Sequence, residues 1–132
     1  MEAILNWIDN LSPSTLDEMD QFYTENSTFQ DPFNKVQGRS EIKRLFKDMF
    51  KLDNVRFDVL ESIQQDNKAF LTWDMYFTLY GKQQKIHGGS YIHFDEQGRV
   101  ISHRDYWDAA EEVYEKIPLL GGVLRMIKKR FQ

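Results

Sequence analysis

"KAFLTWDMYFTLY", residues 68–80, decides the fold. Leu71, Trp73, Met75, Phe77 and Leu79 fall on one side of an alternation, and Thr72, Asp74, Tyr76 and Thr78 on the other. A two-residue period over this length belongs to a strand, because successive side chains of extended backbone point to opposite faces. The same period runs on both sides of it. "NVRFDVLESIQ" (54–64) alternates Val55, Phe57 and Val59 with Arg56 and Asp58, and "QKIHGGSYIHF" (84–94) and "RVISHRDYW" (99–107) complete the series. The separators "QDNK", "YGKQ" and "DEQG" carry turn chemistry, so the runs join as consecutive hairpins.

The first half reads differently. Ile4, Leu5 and Ile8 sit at helical spacing, with Trp7 on a neighbouring edge. "LSPSTLDEMDQFY" (11–23) restarts a helix: Ser12 or Ser14 can cap it, Pro13 suits its first turn, and Leu16, Met19 and Phe22 or Tyr23 form its apolar stripe. "STFQDPFNKVQG" (27–38) is a short strand broken at Asp31-Pro32 and followed by a loop. "RSEIKRLFKDMFK" (39–51) gathers Ile42, Leu45, Phe46, Met49 and Phe50 on one helical face. Helices followed by sequential antiparallel strands define an α+β order. Past the last strand, residues 110–132 read as a helical tail divided by Pro118 and Gly121-Gly122. In the tail, Arg125, Lys128, Lys129 and Arg130 make a basic face, and there is no acid after Glu115. Residues 1–132 form one domain.

Composition narrows the chemistry. The 132 residues are 41% apolar and 14% aromatic, enough to fill a core and still line a cavity. The net charge of −4 leaves no electrostatic footprint for nucleic acid. With no cysteine, disulfides, thiolate nucleophiles and cysteine-based zinc sites are excluded. No His/Asp/Glu spacing resembles a metal site. The opening "MEAILNWIDNL" has acids where a secretory leader would be basic, and no long apolar run follows, so a cytoplasmic protein is expected.

The last strand holds the titratable pair of most interest. In "GRVISHRDYWD" (98–108), alternation places Ile101, His103, Asp105 and Trp107 on one face. If that face is concave, a His–Asp pair lies inside a pocket, where desolvation moves the pKa values that acid–base catalysis needs moved. By the same alternation Ser90 brings Gly88, Ile92 and Phe94, and Asp74 brings Thr72 and Tyr76. Trp73, Met75 and Phe77 are then an outer apolar face suited to packing against helices or a dimer partner. Gly88-Gly89 reads as a bulge or bend, since no helix follows to make a phosphate cradle.

The order helix, helix, strand, "DPF" loop, helix and four long strands resembles the nuclear-transport-factor-2-like superfamily, in its SnoaL-like and ketosteroid-isomerase-like branch. "STFQDPFNKVQGRSEIKRLF" is similar to the isomerase segment, and "RDYWD" is similar to the last strand of limonene-epoxide hydrolases. The resemblance implies a cone-shaped curved antiparallel sheet wrapped around N-terminal helices, a cystatin-like α+β roll with an inner cavity. It puts Asp31 at the place of the isomerase base, and Trp7 and Ser90 near the places of its oxyanion donors. Against the hydrolases it matches Asp105 and Asp74 to the two carboxylates, with Thr72 where their bridging arginine would stand.

Together these readings nominate Asp31, His103, Asp105 and Asp74 as catalytic groups. Trp7, Phe29, Phe33, Tyr76, Ser90 and Trp107 are nominated to shape a pocket for a small apolar or cyclic molecule. The expected activity is cofactor-free, metal-free acid–base chemistry of the isomerase, cyclase or hydrolase kind. The alternative is a binding or regulatory module of the same fold without turnover. A homodimer is expected, and the basic tail offers a lesser possibility of membrane contact.

Overall fold

The computed structural model describes residues 2–108; the helical tail expected over 110–132, with its dimer and membrane readings, lies outside the described residues. Helix α1 (Glu2–Asp9) leads to a 3₁₀ turn (Pro13–Glu18), a single turn of helix α2 (Met19–Phe22), strand β1 (Tyr23–Gln30) and short strand β2 (Lys35–Gln37). Helix α3 (Arg39–Met49) follows, then β3 (Asp53–Gln65), β4 (Lys68–Leu79), β5 (Lys82–Phe94) and β6 (Val100–Tyr106). The six strands form one sheet in the order β2-β1-β6-β5-β4-β3.

The hairpins run as their turn residues direct. At the β4–β5 connection Tyr80 and Gly81 both take positive φ, 51° and 75°, the combination that lets two residues reverse a twisted ribbon. The β1–β6 pairing is parallel, and all the other pairings are antiparallel. Register breaks between Asp53 and Arg56, between Val59 and Glu61, and between His93 and Phe94 bend the long strands. The bent sheet presents a concave face to the helices.

That concave face carries the apolar alternation of β4. Leu71, Trp73, Met75 and Phe77 are buried there with Ile92, Phe94 and Val100, against Ile4, Trp7, Leu16, Met19, Ile42 and Leu45 from the helical side. The expectation for β4 is therefore reversed: Trp73, Met75 and Phe77 face inward, while Asp74 and Tyr76 face out. The apolar stripe expected outside, against helices or a dimer partner, is an interior wall, and it is the helices that pack on it.

Two further expectations change. Tyr23 does not extend a helical stripe but opens β1, its carbonyl accepting hydrogen bonds from Arg39 (3.1 Å) and Arg99 (2.9 Å). Gly88-Gly89 is no bulge, since β5 pairs with β4 without a break through both residues. Their missing side chains make room for rings. A Cβ on Gly88 would stand 2.7 Å from the indole of Trp73 inside the cone, and one on Gly89 would stand 2.6 Å from Phe70 outside it.

Candidate functional site

On the inner face, β1, β4 and β5 each contribute one member of a buried hydrogen-bond chain, and β6 contributes two. The Tyr23 hydroxyl lies 2.7 Å from Nδ1 of His103, and His103 Nε2 lies 2.6 Å from Oδ1 of Asp105. The Ser90 hydroxyl donates to the same Asp105 oxygen and in turn accepts the Trp73 indole N–H at 2.9 Å. Tyr23 is fully buried, and burial, with the charge of Asp105 added, pushes its phenol well above the ordinary value. A phenol that stays protonated gives its one proton to Nδ1, so the imidazole is the tautomer with its hydrogen on Nε2, aimed at Asp105. Every proton in the chain points toward Asp105 Oδ1. Among the described residues Oδ2 of that carboxylate accepts no hydrogen bond.

Ser90 and Asp105 meet because they are direct cross-strand partners, and His103 is opposite Ile92 one step along the same face. The expectation that His103, Asp105 and Ser90 share the interior is met. Ile101 does not join them. The register break opposite Val100 shifts the phase, so Val100 points inward and Ile101 is exposed.

Asp31 faces the same interior from the end of β1. Its Oδ1 accepts the backbone N–H groups of Phe33 (2.8 Å) and Asn34 (2.7 Å), and the Asn34 amide nitrogen approaches both carboxyl oxygens, at 3.1 and 3.3 Å. Asp–Pro thus starts a turn and still delivers its carboxyl to the cavity. Burial pushes this carboxyl above its usual range, helped by the charge of Asp105 and opposed by the Phe33 and Asn34 hydrogen bonds.

The hollow has a volume of about 100 Å³. Phe29, Phe46, Phe57, Trp73, Met75 and Phe77 supply much of its apolar wall, and Asp31, Asn34, Ser90, His103 and Asp105 its polar end. An outer cleft of about 470 Å³ runs along Gln30, Pro32 and Arg104–Asp108. Asp31, Asp105 and Trp107 line both spaces, so the two carboxyls and the indole stand at the neck between them.

The other nominated residues divide. Phe29 lines the hollow and meets the His103 ring edge-on at 4.9 Å. Phe33 packs on Trp107 at 5.3 Å and supports the neck without lining the hollow. Trp7 is a core residue: its indole N–H is spent on the Thr15 carbonyl at 2.9 Å, which removes it as an oxyanion donor. Tyr76 stacks under Arg56, 4.0 Å from the guanidinium carbon, on the outer face. Asp74 is bonded there to His87 Nδ1 at 2.8 Å, and is not a carboxylate of the cavity. Among the described residues no group of His, Asp and Glu could hold a metal ion, and no helix is long and apolar enough to cross a membrane.

Three members of the site were missed in the sequence. Tyr23 was hidden by the adjoining helical pattern, although Tyr23, Ser27 and Phe29 keep the strand period and are all buried. Asn34 looked like loop, and Trp73 was placed outside. The signal for Trp73 was present: the more apolar of two alternating faces is the buried one.

A bent sheet closing over helices around a hollow with a carboxyl-bearing neck defines the class: an α+β roll of the nuclear-transport-factor-2-like kind. The chain belongs to the SnoaL-like domain family, whose pattern it matches over residues 4–103. Solved structures agree on the fold. An LEH-like epoxide hydrolase from M. tuberculosis superposes with a TM-score of 0.70 at 16% identity, covering 96% of this chain and 90% of that one. An NTF2-like protein of unknown function from Cytophaga hutchinsonii gives 0.64 at 22% identity, over 82% and 88%. A de novo designed protein with a curved β-sheet gives 0.66 at 11%, over 97% and 93%. No curated protein matches the sequence.

Proposed function

We propose that the protein is a cofactor-free enzyme that transfers protons on a small apolar or cyclic molecule held at the neck of the cone. One observation carries this: a buried chain of donors converges on one oxygen of Asp105, a residue that lines the hollow, and among the described residues the other oxygen accepts no hydrogen bond. The Ser90 and His103 hydrogen bonds fix the plane of that carboxylate, so Oδ2 is positioned as the general base for a proton of the bound molecule or of an attacking water. Asp31, whose proton is retained to higher pH by burial, is the general acid that serves the atom where negative charge develops. Both ring nitrogens of His103 are engaged, to Tyr23 and to Asp105. His103 therefore acts as a positioning residue and not as the proton carrier itself. The fold likeness to an epoxide hydrolase supports water addition or isomerisation as the reaction type, without an arginine among the described residues that line the hollow.

The test is an incubation of the protein in D₂O with a panel of small cyclic epoxides, ketones and alcohols, read by mass spectrometry for deuterium uptake, water addition or isomerisation. Conversion is expected for at least one compound that raises the melting temperature. Asp105→Asn is expected to lower its rate by roughly 10²–10⁴-fold. If stabilising compounds stay unconverted, the site belongs to a binding module.

A further inference from the structure

The outer face of the sheet carries a second cleft, of about 480 Å³, over β2, β1 and β6. Register builds it. Lys35 pairs with Gln30 and Gln30 with Arg104, and in another row Gln37 pairs with Thr28 and Thr28 with Ser102. Side chains opposite one another on neighbouring strands share a face. Phe29 and His103, between these rows, are buried on the inner side, so the six point outward. All six are hydrogen-bond donors. Among the described residues none of the six spends a side-chain hydrogen bond or an ion pair on the protein, and no described acid lines the cleft. The acids that follow Gln30 and Arg104 in the chain, Asp31 and Asp105, line the hollow on the other face.

Two cations without an acid make a local excess of positive charge on a chain whose net charge is −4. Lys35 and Arg104 flank Gln30 at one strand spacing each, so their Cα atoms stand about 10 Å apart. Two long side chains close that gap from either side. The Arg104 guanidinium is already held, its central carbon 4.9 Å from the centre of the Tyr106 ring. An arginine stacked on a ring keeps the N–H groups of its planar fork for an oxyanion. The charge and the number of donors say which oxyanion. A carboxylate has one charge and two oxygens. A phosphate monoester carries about −1.5 to −2 charges at neutral pH and three acceptor oxygens, which suits two cations and donors from three strands.

We infer that Lys35 and Arg104, with the hydroxyls of Thr28 and Ser102 and the amides of Gln30 and Gln37, form a site for a small phosphate monoester. The volume of the cleft falls in the range of small-molecule sites, so the organic part of the ester has room beside its head. Because this cleft and the hollow lie on opposite faces of the sheet, the ester is a second ligand, whatever the hollow takes.

The test titrates inorganic phosphate, phenyl phosphate and benzenesulfonate into the wild-type protein in phosphate-free buffer at neutral pH, followed by the side-chain amide resonances of Gln30 and Gln37. Phenyl phosphate is expected to shift both saturably. It should bind about tenfold or more tighter than benzenesulfonate, which has the ring and three oxygens but less charge, and tighter than inorganic phosphate. Lys35→Gln and Arg104→Gln should each weaken it about tenfold. Lys85→Gln, which removes an exposed cation of β5 outside the cleft, should leave its affinity unchanged. All three positions are exposed, and melting curves confirm that the variants fold. Sulfonate bound as tightly as phenyl phosphate overturns the doubly charged head, and inorganic phosphate bound as tightly overturns the ester. Equal effects of the three substitutions overturn the site in favour of general surface charge. No saturable shift of either glutamine overturns the inference outright.

Discussion

Replacing Gly88 with alanine puts a methyl group where the structure has no room. The added Cβ would stand 2.7 and 2.9 Å from two ring carbons of Trp73 and 2.9 Å from the Tyr106 carbonyl oxygen. Carbon pairs settle at about 3.5–4 Å, so the indole must retreat by about 1 Å, and the backbone oxygen blocks relief on the other side. Trp73 is 5% exposed and held by its bond to Ser90, so it cannot swing away freely. Overpacking of this kind costs about 1–3 kcal/mol, and straining the Trp73–Ser90 hydrogen bond adds about 1. A net loss of about 2–4 kcal/mol corresponds to a fall in melting temperature of roughly 8–15 °C at this chain length. Gly89→Ala is the built-in control. Its Cβ would stand even closer to a ring, 2.6 Å from the tip of Phe70, but that side chain is 40% exposed and can move into solvent. Its effect should stay within about 1 kcal/mol, because alanine also recovers some of the backbone entropy that glycine loses in a strand. Thermal and urea unfolding of the two variants decide it. Equal losses, or a larger loss for Gly89→Ala, would refute the placement of Trp73 inside the cone.

Other perturbations follow from the same geometry. Tyr23→Phe leaves His103 Nδ1 buried without its donor and should destabilise by about 1–3 kcal/mol in urea titration; an unchanged midpoint would mean the phenol is not in the chain. Asp31 keeps its proton to higher pH in the folded protein than in the unfolded chain, so its contribution is present below the ordinary carboxyl range and lost as pH rises through the raised value. Melting temperatures of wild type and Asp31→Asn, compared from about pH 4 to 7, should therefore diverge in favour of the variant as pH rises. A gap that shrinks on going up would contradict the raised carboxyl. Asp74→Asn removes an outer-face bond to a half-exposed His87, so stability should change by less than about 1 kcal/mol in urea titration and the Met75 methyl shift in xenon-saturated buffer should match that of wild type. A larger loss of stability together with an altered Met75 shift would return Asp74 to the cavity.

The strand periods, the hairpin positions and the apolar face of α3 could all be read along the chain, because each is a local pattern. The facing of β4 could not be taken from Asp74. Matching that aspartate to a remote carboxylate fixed its face by analogy, whereas burial follows the apolar stripe Trp73–Met75–Phe77. On β6, alternation correctly joined His103 to Asp105 and failed at Ile101, because the register break opposite Val100 depends on how two strands meet. Tyr23 was hidden because the helical spacing of Leu16, Met19 and Phe22 runs into it. Only the pairing of β1 with β6 shows that it starts a strand facing His103. The single-residue environments were the least legible. That the Trp7 N–H goes to Thr15, or that Gly88 makes room for an indole, depends on contacts between distant segments.

The central claim is that the apolar face of β4 encloses a hollow that a ligand can enter. Methyl-labelled methionine reports on this directly, since Met49 and Met75 line the hollow while Met19 is buried in the core away from it. In xenon-saturated buffer, which fills apolar cavities without needing a polar head, the Met49 and Met75 methyl resonances should move and that of Met19 should stay. Xenon-insensitive methyls at both 49 and 75 would show that no such space exists between the sheet and its helices.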